Sequence, residues 1–179
     1  FAADRPVIIV TRDKDLGQLL RADDVLWDFA ADLRTGPAEV KDKFGVHAHQ
    51  IADYLALAGD SVDNIPGAPG IGAKSAAKIL AHFGDIDSLY RSIDEIENIG
   101  LRGAGKVKQT LLDCEHRVRM FQEITRIKCD IDMKVSLKDL EPSPPSASEL
   151  ESFCEAMNFG KRVRERLAAI GQTMLSQHS

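Results

Sequence analysis

Two pairs of aspartates stand out as residues able to do chemistry together. Asp13 and Asp15 sit in "TRDKD", directly after the apolar run "PVIIVT" at residues 6–11. Asp60 and Asp63 sit in "GDSVDN", residues 59–64. In an extended backbone, side chains two apart point the same way, so Asp13 and Asp15 are expected to project together while Lys14 faces away. In a helix end or turn, residues three apart share a face, so Asp60 and Asp63 can also converge. Four carboxylates held together repel one another unless cations intervene. Oxygen-only ligand sets suit hard divalent ions, which makes Mg²⁺ or Mn²⁺ the expected guest, in two or more positions. Each pair also has a plainer reading: "DKDL" as a helix cap with first-turn acids, and "GDSVDN" as an Asp-rich turn.

A second constellation follows at once. "PGAPGIGAKSAAKIL" places Gly70, Ile71, Gly72, Ala73, Lys74 and Ser75 at the start of a helix-forming run, with Lys78 one turn beyond Lys74. Glycines before a helix allow close approach to the backbone, and a helix N-terminus is a ready anion site. Lysines one turn apart could meet neighbouring phosphates, which positions a nucleic-acid backbone without reading bases. The competing reading is a tight interhelical turn whose glycines serve packing alone. The stretch has neither Walker nor dinucleotide spacing and does not follow a strand. The histidines, at 47, 49, 82, 116 and 178, are scattered, and His47, His49 and His82 read as surface or capping residues. No Ser or Cys nucleophile constellation is visible.

These residues need elements to hold them. "PVIIVT" reads as a buried strand of a parallel sheet, followed by helical "DKDLGQLL" and a second strand near Val25–Phe29. "TGPAEVKDKFG" reads as a short helix with Pro37 in its first turn and Gly45 past its end. Residues 47–58 put Ile51, Tyr54, Leu55 and Ala58 on one helical stripe. A helix over 73–82 ended by Gly84, one or two short helices in 85–100, and a long basic helix from about Gly103 to Lys128 complete the middle. "EPSPPSAS" (141–148) is a Pro/Ser connector leading to a last helical segment.

Composition is ordinary for a globular chain of 179 residues, 44% hydrophobic and 28% charged, with no apolar run of membrane-spanning length. Cys114, Cys129 and Cys154 are odd in number and lack Cys-x-x-Cys spacing, which points to a reducing cytosol and away from disulfides or zinc. The net charge of −5 hides an uneven distribution. Basic residues outnumber acidic ones from Leu101 to Lys128, and "KRVRER" at 161–166 is basic again. A basic rim around an acidic centre is the expected pattern.

Taken together, "IIVTRDKDLGQLL", "YLALAGDSVDNIPGAPGIGAKSAAKIL" and "FGDIDSLY" closely resemble the 5′-nuclease family of flap endonucleases and 5′–3′ exonucleases, including the nuclease domain of bacterial DNA polymerase I. The resemblance is clear over about residues 6–130 and weaker through "FCEAMNFGKRVRERL". It implies an α/β fold: the remainder of a PIN-like/5′-nuclease parallel sheet in 1–46, then a helix–three-turn–helix, SAM-fold-like DNA-binding region in 47–140. The linker and a C-terminal helical segment would occupy 141–179. It implies that Asp13, Asp15, Asp60 and Asp63 hold divalent ions and are catalytic. Gly70 to Ser75, with Lys78, would hold duplex phosphates. Main-chain oxygens of Leu57, Ala58, Pro66, Ala68 and Ile71 would bind K⁺.

The implied activity is hydrolysis of DNA with a 5′ end or 5′ flap in replication or repair. The implied setting is a monomer at the bacterial nucleoid, with a DNA polymerase as partner and no membrane. Family members carry further carboxylates and a basic arch upstream of "PVIIVT", where this chain has only Phe1–Arg5. The expectation is therefore a piece of a longer protein that binds DNA better than it cuts it. Two rival readings stand: a non-catalytic helix-hairpin-helix DNA-binding module, and a small-molecule phosphohydrolase. A pure binding module has no need of Asp13 and Asp15, and a phosphohydrolase leaves the basic helix and the glycine turn unexplained.

Overall fold

The computed structural model describes residues 5–140 and 145–177. Two compact units emerge, Phe1–Cys129 and Asp130–Ser179. The break falls after Cys129, and residues 141–144 of the expected Pro/Ser connector lie outside the described residues.

The first unit begins with a three-stranded mixed sheet of order β1-β2-β3: β1 Ile8–Val10, β2 Val25–Asp28 and β3 Leu33–Thr35. β1 pairs with β2 in parallel, Ile8 opposite Val25 and Val10 opposite Trp27, whereas β3 runs antiparallel to β2. Two expectations are corrected here. The sheet is not purely parallel, because the short turn after Asp28 brings the chain straight back. Among the described residues β1 is paired on one side only, and Ile8 is 52% and Val10 61% exposed where the apolar run reads as buried. A continuous apolar run reads the same in both settings, and the number of neighbouring strands decides between them.

Helix α1 (Pro37–Phe44) starts as expected, with Pro37 at its first position and the Glu39 carboxylate accepting from Gly36 N–H at 2.7 Å. It ends on Gly45 at φ +73°. A single 3₁₀ turn, Ala48–Gln50, leads into α2 (Ile51–Ala58), the central helix, with Ile51 to Leu57 all buried. Helix α3 (Ala73–Phe83) turns Ala76, Ile79 and Leu80 inward against α2, α4 (Ile86–Arg91) packs on α3, and the long α5 (Ala104–Thr125) lies along α2. One core runs from Leu20, Leu26 and Val40 through α2 to Leu111 and Val118.

Buried polar groups in this core are partnered, as burial demands. Asp53 accepts from Ile86 N–H at 3.0 Å and from Gln122 at 2.7 Å, tying α4 and α5 to the central helix. Gln50 donates to the carbonyls of Leu80 and Gly84, satisfying the end of α3.

In the second unit α6 (Ala147–Ala156) is capped by Ser146 and Glu149 in a reciprocal box, and α7 (Lys161–Gln177) is joined to it by an Arg164–Glu151 ion pair. Among the described residues no helix is long and apolar enough to cross a membrane.

Candidate metal centre and phosphate-binding turn

The carboxyl end of β1 leads not into further extended chain but into a 3₁₀ helix, Lys14–Leu19. Asp13 caps it, its Oδ1 accepting from Asp15 N–H at 2.9 Å, while Asp13 N–H donates to Thr11 Oγ1 at 3.0 Å. The side-chain alternation expected of a strand therefore fails. Asp13 is engaged as the cap beside Asp15, and Lys14 does not face away. Lys14 turns into the acidic centre and forms a very short ion pair with Asp60; its Nζ also lies 3.3 Å from Asp15 Oδ1.

Opposite stands the loop after α2. It is closed by reciprocal bonds, Asp60 N–H to Ile65 O at 2.7 Å and Ile65 N–H to Asp60 O at 2.8 Å, with Ala68 N–H donating to Leu57 O at 2.9 Å. The two backbone passes touch. A Cβ on Gly67 would run into the amide nitrogen of Gly59 and stand 2.7 Å from the carbonyl carbon of Ala58, and one on Gly59 would stand 2.8 Å from Ile65 O; both residues have positive φ. Only glycine at both positions lets the loop close and present Asp60 and Asp63. Asp60 is buried and Asp63 exposed.

Among the described residues one group of carboxylates converges enough to share a cation: one oxygen each from Asp15, Asp60 and Asp63, all within 4.8 Å of one another. Asp13 is not in the group. The electrostatics are those of a strained acidic pocket. Burial raises the Asp15 carboxyl above its ordinary range, with Lys14 pulling it down and Asp13 and Asp60 pushing it further up. Burial works the same way on Asp60, but the Lys14 ammonium and the Val62 N–H outweigh it and hold that carboxyl below its usual range. Asp15 Oδ1 is buried and makes no well-aligned hydrogen bond; the Lys14 ammonium stands 3.3 Å from it, in a place a metal cation would compete for. Three converging carboxylates, all hard oxygen donors, fit a hard divalent cation.

At the start of α3, the turn that supplies its N-terminus is open on the outside. Cβ atoms built at Gly70, φ +76°, and at Gly72 would meet nothing within 4 Å. Gly72 offers no side chain to cap the helix, and the first-turn amides of Ala73 and Lys74 have no carbonyl one turn back. Gly72, Ala73 and Lys74 are exposed and Ser75 half-buried. Ile71 differs: its side chain is 3% exposed and its N–H is engaged by Ala68 O at 3.0 Å, so it anchors the turn from inside. Lys78 lies on the exposed face but donates to Gly100 O at 2.7 Å, fixing the turn ahead of α5. Of the carbonyls expected around K⁺, those of Leu57 and Ala68 already accept backbone bonds, and Ala58 and Pro66 line a shallow cleft beside Asp60.

The basic run on α5 is partly neutralised on its own surface. Lys108 pairs with Asp94 at 2.8 Å, and Arg119 pairs with Asp87 and Glu115 at 2.7 and 2.8 Å. His47 and His49 stack on each other, and His82 contacts Glu95; His178 lies outside the described residues. Sequence reasoning did not single out Gln18. Its side chain accepts from Ile127 N–H at 2.9 Å and donates to Thr125 O at 3.0 Å, pinning the 3₁₀ helix to the end of α5 and so setting where Asp15 stands. Nor did it single out the close approach of Gly59 and Gly67, which only the crossing of two backbones reveals.

A mixed α/β unit that brings acidic side chains from a strand end to an interhelical loop, beside an open helix N-terminus, defines the class. The family model "5′-3′ exonuclease, C-terminal SAM fold" matches residues 46–148, more than half of the chain. The chain belongs to the 5′-3′ exonuclease family. It is 36% identical over 159 residues to DNA polymerase I of Pseudomonas aeruginosa, covering 88% of this chain and 17% of that protein. It is 31% identical over 164 residues to a 5′-3′ exonuclease of Buchnera aphidicola subsp. Baizongia pistaciae, covering 90% and 54%. The bacteriophage T5 flap endonuclease, solved as a pseudo-enzyme–product complex with DNA and metal ions, shares the fold with TM-score 0.53 and 20% identity, over 93% of this chain and 52% of that one. The chain thus spans about half the length of its exonuclease relative and less than a fifth of the polymerase.

Proposed function

We propose that this chain contributes a divalent-metal position and a duplex-holding turn to a nuclease that hydrolyses DNA phosphodiesters near a 5′ end or flap. The convergence of Asp15, Asp60 and Asp63 from segments far apart in sequence carries the reading. When bound, Mg²⁺ or Mn²⁺ would supply Lewis-acid activation of water and of the scissile phosphate. Asp15, Asp60 and Asp63 would hold the ions. Asp13 acts one step back, by capping the 3₁₀ helix that carries Asp15. The amides of Ala73 and Lys74, approached across Gly70 and Gly72, would hold phosphates of the duplex, with Lys74 and Ser75 at the same edge. Lys78 fixes the neighbouring turn while adding positive charge. A K⁺ ion at the Ala58 and Pro66 carbonyls would brace the turn. Such a role places the protein at DNA, in the company of a polymerase.

The test pairs Mn²⁺ titration with a 5′-flap cleavage assay in Mg²⁺ or EDTA, on the unchanged chain and on Asp60→Ala. Mn²⁺ binding and any Mg²⁺-dependent cleavage should vanish in the variant while duplex affinity stays. Retained cleavage would remove Asp60 from the centre. The use of the Asp13 carboxylate as a cap favours a second reading, a helix-hairpin-helix DNA-binding module without chemistry. That reading predicts duplex binding with no Mn²⁺ binding at all.

A further inference from the structure

We propose that Lys14 is a displaceable internal counter-ion: its ammonium holds the acidic centre together before metal arrives, and a divalent cation expels it. This rests on the divalent-metal reading of the centre. Lys14 lies between the helix-capping Asp13 and Asp15, yet its Nζ reaches the buried Asp60 across 46 positions of sequence and contacts Asp15 Oδ1 at 3.3 Å. These two carboxylates belong to the converging group that could share a metal. Three carboxylates within 4.8 Å repel strongly when unaccompanied, and this ammonium is the cation placed among them.

An ammonium and a divalent ion compete for the same two carboxylates, because the positive charges repel one another and the divalent ion gains about twice the attraction from each carboxylate. Metal loading must therefore swing the Lys14 head away. Its four-carbon stem allows this: the side chain is one-third exposed and lines a small cleft with Thr11, Asp28 and Lys43. The consequence is a trade. Lys14 keeps the 59–65 loop against the strand end in the metal-free protein and weakens the first metal-binding step.

A lysine with a merely structural role would, when removed, weaken metal binding or leave it unchanged. Displacement predicts the opposite. In Lys14→Met, which keeps the stem and loses the charge, Mn²⁺ should bind about tenfold tighter than in the unchanged chain, because a competing positive charge has gone. The same variant should melt at a lower temperature in EDTA and recover in Mn²⁺. A second measurement needs no variant: the ¹⁵Nζ resonance of Lys14 in the unchanged chain. In EDTA the ammonium signal should be sharp and protected, and it should be lost once added Mg²⁺ has saturated the shift of the Asp60 amide. A signal that persists at saturation, or equal or weaker Mn²⁺ binding by Lys14→Met, overturns the proposal and leaves the metal centre standing. Absence of Mn²⁺ binding by the unchanged chain overturns both.

Discussion

The acidic centre is built from two halves that are held in different ways. The loop from Gly59 to Gly67 is held by backbone: reciprocal Asp60–Ile65 bonds, the Ala68–Leu57 bond, and two glycines at van der Waals limit. The strand-end half, residues 11–24, is held by side chains and charge. Asp13 caps the 3₁₀ helix, Lys14 crosses to Asp60, and the buried Asp24 gathers Arg21 and the Val7 N–H. A backbone lock resists changes of solution conditions and fails on substitution. A charge lock tolerates many substitutions nearby and responds to pH and to cations. The lesson is that one half fixes where metal can bind and the other decides how readily.

The largest effect expected is on the backbone lock. Gly67→Ala places a Cβ against the backbone of residues 57–59 at positive φ, and should cost about 3–5 kcal/mol in chemical denaturation. A loss below about 1 kcal/mol would show that the loop can open without penalty and would erase the contrast.

On the charged side, Arg21 beside Asp24, together with backbone N–H groups, holds that carboxyl far below the usual carboxylate range. A depressed folded pKa gives stability that is present above the unfolded value, about 4, and lost as pH falls toward the folded value. Asp24→Asn should therefore lower stability at neutral pH and flatten the acid limb of the stability curve below about pH 4. An unchanged acid limb would mean that Asp24 does not govern this half.

Two substitutions separate holding from ligating. Asp60→Ala should abolish Mn²⁺ binding, as set out above. Asp13→Ala should cost about 1 kcal/mol of stability through the lost cap while leaving Mn²⁺ affinity near that of the unchanged chain. A collapse of Mn²⁺ affinity in the second variant would return Asp13 to the ligand set.

The open glycines separate backbone strain from access to the helix N-terminus. Gly70→Ala, at φ +76° with free space around it, should cost about 1–2 kcal/mol from backbone strain alone. Gly72→Ala, at φ −92°, should stay within about 0.5 kcal/mol in stability. Its methyl group would nonetheless stand between a phosphate and the first-turn amides, weakening duplex binding by about 1 kcal/mol, roughly fivefold, with little dependence on DNA sequence. Unchanged duplex affinity in both variants would show that this turn serves packing only.

Much of this arrangement was legible in the amino-acid order, and the failures are instructive. The helices announced themselves through Pro37, Gly45 and Gly84 and through the apolar spacing of α2 and α3. β3, only Leu33–Thr35, carries too few residues for a periodicity and went unread. Asp15, Asp60 and Asp63 were chosen by spacing and do converge, but Asp13 was grouped with Asp15 on the premise of an extended backbone. The chain curls at Asp13 because the carboxylate itself supplies the cap that starts the 3₁₀ helix.

By itself the sequence determined which residues can bear charge, which stretches become helices, and where glycine frees the backbone, since all of these are local preferences of a few neighbouring residues. Tertiary structure alone decided that Lys14 points inward, that Gln18 clamps the strand end to α5, and that Gly59 meets Gly67. Each of those facts depends on segments meeting across the fold, and closest approach between distant backbones has no local signature.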